Sequence, residues 1–259
     1  NNESNKNRAI LGGCFLDETY SYNDYYSQDA FDRSIGNGIR LVFNPNEDPQ
    51  VNSDSFGVDV RDFVNVEDVS DDVFRYYLSQ YDYEYSNKNI ITEHIDSLSN
   101  GIVIEKYKMP AAYGDGKEIL SGYVFYDKNI KKKYKPIIYF PGSNALHSSK
   151  EINLVESFPS KMLYLLKEGY AVVHPIYKST YSRQDDQRSD YGDMSDQYKE
   201  HVIMWGKDYK KSIDYIFTRD DFDSSKLSYH GISWGGFMAN ILLPIDKRVK
   251  SAVLLVAGL

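Results

Sequence analysis

The sequence predicts an α/β fold built on a mostly parallel sheet, and three observations carry that expectation. From about residue 101, short apolar runs of strand length alternate with segments of helical periodicity. Turn chemistry separates them: Gly114-Asp115-Gly116, Pro141-Gly142, Gly169 and Pro244. One strand-to-helix junction reads Gly231-Ile232-Ser233-Trp234-Gly235. Strands that alternate with helices need crossover connections, and these lay helices on both faces of a parallel sheet.

The elements follow in order. Residues 102–106 and 120–126 read as strands joined through the Gly114-Asp115-Gly116 turn into a hairpin. Ile137 to Phe140 is a short apolar strand ended by Pro141-Gly142. A helix with Pro159 in its first turn and Met162, Leu163, Leu165 and Leu166 on its buried side is closed by Gly169. A strand over 170–174 is stopped by Pro175. Residues 183–194 are too polar to pack and read as a surface loop. A long helix then runs to about Thr218, with Val202, Trp205, Tyr209, Ile213, Ile216 and Phe217 along one face. Residues 226–230 form a strand, 234–243 a helix ended by Pro244, and 249–256 the last strand.

Upstream the grammar differs. Residues 1–45 are rich in Gly, Tyr and Asp and end in a short strand at 41–43, which suggests a small irregular α+β remnant. Residues 46–100 read as an acidic linker. Within it Ser70 is placed to cap a helix near 70–80, with Asp71 and Asp72 favouring its positive end. Val73, Phe74, Tyr77 and Leu78 would dock that helix.

The 259 residues carry a net charge of -8, which argues against a nucleic-acid partner. No run reaches the roughly 18 apolar residues of a membrane helix. The single cysteine, Cys14, forbids an internal disulfide and fits a reducing, cytoplasmic compartment. No metal-ligand spacing or phosphate-cradling loop occurs, so neither a metal nor another cofactor is expected.

Chemistry concentrates at Ser233. A nucleophilic hydroxyl must stand clear of the sheet on a sharp strand-to-helix turn, and Gly231 and Gly235 relieve the crowding that this turn creates. The following helix aims its first N–H groups at charge developing on a substrate oxygen. Trp234 N–H is the expected first oxyanion donor. The second is expected from the loop after the 137–140 strand: Ser143 N–H first, Gly142 next. A base is also required. The five histidines are His94, His147, His174, His201 and His230, and none follows Ser233. His230 reads as a packed strand residue, while His174 and His147 are better read as structural than as lining a pocket. Asp246, the only acid after the elbow, sits too early to orient a base.

Residues 101–259 resemble the α/β-hydrolase superfamily, on its prolyl-oligopeptidase and dienelactone-hydrolase-like side. The resemblance rests on Ile138-Tyr139-Phe140-Pro141-Gly142-Ser143 and on residues 229–236. It implies an incomplete three-layer sandwich, truncated after the last strand, whose acid and histidine lie beyond Leu259. A truncated sheet would leave 249–256 as an unpaired apolar edge. Residues 10–43 resemble the end of a formylglycine-generating-enzyme (sulfatase-modifying-factor) domain, through Gly12-Gly13, Arg33 and residues 37–42, with the family's cysteine positions vacant. This order of modules is similar to bacterial multidomain proteins headed by a Ser/Thr kinase, which implies covalent linkage to further domains on both sides. The resemblance thus implies a serine esterase or peptidase acting on a small-molecule or peptide acyl substrate, inactive as this fragment alone. A non-catalytic sensing or binding module of a signalling protein is the alternative.

Overall fold

The computed structural model of the chain describes residues 7–11, 25–29, 66–192 and 195–257. The chain divides into two compact units, Asn1–Val66 and Glu67–Leu259. In the first, β1 (Asn7–Leu11) and β2 (Tyr25–Asp29) pair antiparallel. Most of the segment that resembles a sulfatase-modifying factor, and the strand expected at 41–43, lie outside the described residues.

The second unit is built on seven strands: β3 (Ile91–Ser97), β4 (Ile102–Pro110), β5 (Ile119–Asp127), β6 (Lys135–Phe140), β7 (Tyr170–Ile176), β8 (Ser228–Ile232) and β9 (Ser251–Leu255). Their order is β3-β4-β5-β7-β6-β8-β9. The sheet opens with antiparallel pairs from β3 to β7 and continues parallel through β7, β6, β8 and β9. Its helices are α1 (Asp71–Ser79), α2 (Asn144–His147), α3 (Ile152–Glu156), α4 (Phe158–Lys161), α5 (Leu163–Lys167), α6 (Asp196–Phe217) and α7 (Trp234–Ile245).

The alternation of side chains along each strand sorts the core into two layers. Ile138 and Phe140 of β6 join Val173, Tyr229 and the buried face of α6 and α7, centred on Trp205, Tyr209, Ile213 and Met238. Ile137 and Tyr139 face the other way, onto Val172, Phe158, Met162 and Leu166 beneath α4 and α5. Each fully buried large side chain stabilises the fold by on the order of 2 kcal/mol. The result is the expected three-layer arrangement, with the parallel strands ending together at one rim.

Several expectations are corrected. Ser70 does cap α1, its hydroxyl accepting from Val73 N at 3.4 Å. No residue of α1 is buried, however, and Val73, Phe74 and Tyr77 are exposed, so the stripe does not dock the helix. The linker instead contributes β3, the outermost strand, whose seven residues are all exposed and so lack the apolar signal of a core strand. The helix expected around Pro159 is two short ones, α4 and α5, broken at Met162 (φ -101°, ψ 3°), with Gly169 at φ +81° after them. Strand β7 runs through Pro175, which sits opposite Gly122 of β5, rather than stopping before it. Pro244 lies inside the last turn of α7. The 183–192 stretch is a loop but packs: Gln187 is buried, and Arg183 Nη1 meets the wholly buried Asp208 at 2.6 Å. Tyr113 Oη donates to the same carboxylate, as does Lys178 N. Buried ion pairs recruit polar residues that look solvent-bound in sequence. Strand β9 is outermost among the described strands, with Val253, Leu254 and Leu255 exposed.

Candidate active site

Ser233 stands between β8 and α7 at φ 51°, ψ -112°, a conformation that costs an L-residue on the order of 1–3 kcal/mol. The surrounding backbone holds it there. Ser233 N donates to Leu255 O at 2.8 Å, Gly235 N to Pro141 O at 3.0 Å and Phe237 N to Ser233 O at 2.9 Å. Tyr229 Oη donates to Gly235 O at 2.5 Å. The Trp234 side chain is buried edge-on against Phe140 and Trp205, with ring centroids 4.8 Å away in both cases.

Both elbow glycines are steric requirements. A Cβ on Gly231 would lie 2.4 Å from Gly235 O, and one on Gly235 would lie 2.3 Å from Phe140 O. Gly236 is also tight, with a Cβ there 2.7 Å from Ala257 Cβ. These contacts seat α7 directly on the ends of β6 and β9.

Ser233 is exposed, while its neighbours on both sides are wholly or partly buried. Because β6 is the immediate neighbour of β8, the Pro141-Gly142-Ser143 loop lies beside the elbow. A Cβ on Gly142 would be 3.6 Å from Ser233 Cβ. Trp234 N is in the first turn of α7 and has no intrahelical acceptor. Among the described residues, neither Trp234 N nor Ser143 N makes a backbone hydrogen bond. Ser143 and Gly142 instead offer their carbonyls to Leu146 N and Ala145 N. The structure therefore brings Ser233, Trp234, Gly142 and Ser143 together.

Two clefts meet at Ser233. One, of about 580 Å³, extends over the sheet beneath α4 and is walled by Tyr139, Phe158, Met162, His174, Tyr181 and His230. The other, of about 470 Å³, lies between the 190–192 loop and Trp234, Phe237 and Val256.

The histidines separate. His174 and His230 both wall the larger cleft, where sequence favoured a structural reading. They flank Tyr139, with ring centroids at 4.8 and 5.4 Å, and Tyr139 pairs in register with His230. His174 Nδ1 donates to Pro175 O at 3.0 Å, which leaves Nε2 as an acceptor. Burial pushes its pKa down to about 4, and burial also lowers that of His230. Both rings are therefore neutral near pH 7. His230 Nδ1 is buried without a partner. His201 is tied to Gln197 O and Asp185, His94 Nε2 lies 3.3 Å from Ser97 Oγ, and His147 ends α2. Among the described residues, no histidine hydrogen-bonds the Ser233 hydroxyl. The His174-Tyr139-His230 row was hidden in the sequence because it depends on strand order, although period-two alternation puts each on one face of its own strand.

No family profile and no curated protein match the sequence. Similarity appears at the level of structure. Acetyl xylan esterase 1 from Thermoanaerobacterium sp. JW/SL YS485 superposes with a TM-score of 0.55 at 14% identity, over 73% of this chain and 59% of that one. A methylesterase, BT1017, gives 0.54 at 17% identity, over 71% and 39%. The acetyl xylan esterase from Paenibacillus sp. R4 gives 0.50 at 16%, over 71% and 56%. The chain thus spans between about two fifths and three fifths of the length of these structures. At such identities the likeness is one of architecture, and together with the sheet order and the elbow it shows that the chain carries a partial α/β-hydrolase fold.

Proposed function

We propose that these residues carry the nucleophile and the oxyanion site of a serine hydrolase acting on acyl esters. The observation that carries this reading is Ser233, held at positive φ by the elbow with its side chain open to two clefts. Its Oγ attacks the acyl carbonyl carbon and gives its proton to a base. The Trp234 and Ser143 N–H groups, with Gly142 N–H as the alternative second donor, receive the charge on the carbonyl oxygen. Each such donor is worth about 3 kcal/mol in the transition state. The tetrahedral centre then expels the alcohol, which takes up the proton, and water releases the acid from Ser233. Peptide acyl groups are the second substrate class, but the three solved structures named above bear esterase names, which favours esters.

The base is the missing partner. No histidine follows Ser233, and none described bonds to its hydroxyl, so the proposal has the base supplied from outside these residues. On this reading, hydrolysis of phenyl acetate without that base is expected to be about a thousandfold slower, or more, than with it. The test is kcat/KM for phenyl acetate on the full-length protein and its Ser233→Ala variant. A loss of at least a thousandfold supports the reading; unchanged hydrolysis in the variant ends it.

A further inference from the structure

At the opposite end of the parallel strands from Ser233 lies another depression, of about 780 Å³. Its walls come from the 129–133 loop, the start of β6, the end of α5 with the Glu168-Gly169 turn that follows it, and the 223–226 turn. Six lysines line it, Lys131, Lys132, Lys133, Lys135, Lys167 and Lys226, against two acids, Glu168 and Asp223. The chain as a whole is charged the other way, with 38 acidic and 30 basic residues. A basin of this sign on an acidic protein concentrates positive potential in a concave site, where low-dielectric walls focus it.

Three of the lysines are already engaged. Lys167 Nζ donates to Asp127 at 2.8 Å and to Asn100 O at 2.7 Å. Lys226 pairs with Asp223 at 2.9 Å, and the Lys135 ammonium stands 4.0 Å over the Tyr170 ring. Consecutive Lys131, Lys132 and Lys133 are exposed and form no ion pair among the described residues. Asp127, which would temper the basin, is buried and occupied by Lys167 and Asn129.

We propose that this basin binds a small phosphate-bearing polyanion. Its cations are all ammonium groups, compact point charges that suit the dispersed charge of phosphates. No arginine lines the basin, so neither a carboxylate nor a phosphate meets a bidentate fork there, and binding rests on the density of ammonium charge, which favours the more highly charged polyphosphate. Its volume is that of a site for one small ligand of about nucleotide size. Strand β6 begins at Lys135 in the basin and ends at Phe140 beside the elbow, a run of about 17 Å. The basin is therefore a separate site and does not depend on the hydrolase reading.

The test is calorimetric titration of the full chain with inorganic tripolyphosphate in 50 mM NaCl. Saturable one-to-one binding is expected, weakened at least tenfold in the Lys131→Gln/Lys132→Gln/Lys133→Gln variant and at least tenfold by 500 mM NaCl. Citrate, a tricarboxylate of lower charge, should bind at least tenfold more weakly. The three side chains lack ionic partners, so the triple variant should keep the wild-type unfolding temperature without ligand, and Ser233→Ala should bind as wild type does. Absence of saturable binding, unchanged affinity in the folded triple variant, or equal affinity for citrate would overturn the proposal.

Discussion

Replacing Gly235 with alanine sets two physical effects against each other with opposite signs. Gly235 is the second residue of α7, and alanine is the better helix former by about 1 kcal/mol in a helix interior. Propensity alone therefore predicts stabilisation. The added methyl, however, would lie 2.3 Å from Phe140 O, 2.8 Å from Phe140 C and 3.1 Å from Phe140 Cβ. Carbon and oxygen need about 3.2 Å or more, so α7 or the end of β6 must retreat by roughly 1 Å. Overpacking of this kind costs about 1–3 kcal/mol, and the retreat loosens the hydrogen bond from Gly235 N to Pro141 O. We expect Gly235→Ala to lose about 2 kcal/mol in urea unfolding, measured as a shift in midpoint at constant slope. The same displacement moves Trp234 N–H away from the Ser143 loop. Misplacement by 1 Å can lower turnover on the order of a hundredfold, beyond what reduced stability explains. Gly116→Ala is the control. It has open space around its Cβ but φ +76°, so its cost should be the 1–2 kcal/mol of a left-handed residue, with no effect on turnover. A Gly235→Ala protein as stable as wild type, or more so, would refute the steric account of the elbow.

His174, buried and neutral with a pKa near 4, should make stability depend on acid. The unfolded chain takes up this proton near pH 6.5, before the folded protein does. The contribution is therefore complete above pH 6.5 and is lost as pH falls toward 4, by about 3 kcal/mol in total. His174→Phe should flatten that part of a urea-midpoint profile between pH 7 and 4.5; an identical slope in both proteins would contradict it. Asp208→Asn should cost about 3–5 kcal/mol, because it leaves the buried Arg183 guanidinium with only the longer ionic contact to Glu118, at 3.8 Å. Asp208→Leu combined with Arg183→Met should cost less than Asp208→Asn alone in chemical denaturation, and equal costs would count against an uncompensated charge as the cause.

The legible parts of the molecule were those written in local chemistry. Ser70 with Asp71 and Asp72 announced a helix start whatever the helix packed against. The two glycines around Ser233 reported a turn too tight for a Cβ, and the distances of 2.3 and 2.4 Å give the reason. What stayed hidden was non-local. β3 carries no buried side chain, so its pairing with β4 left no apolar pattern. The buried Arg183-Asp208-Tyr113 cluster joins residues up to 95 positions apart, and each of them alone looks like a surface residue. The exposed stripe of α1 shows the opposite error, in which helical periodicity was read as burial. The ring row at the cleft required the β7-β6-β8 order before His174, Tyr139 and His230 could be seen as neighbours.

The central claim is that the elbow presents the Ser233 hydroxyl as a nucleophile beside amides ready to take negative charge. It is tested most directly by treating the full-length protein with a fluorophosphonate and locating the adduct by peptide mass spectrometry. The account predicts one phosphonyl group on Ser233 Oγ, formed with loss of fluoride and absent from Ser233→Ala. An adduct on another residue, or none on a folded protein, would contradict it.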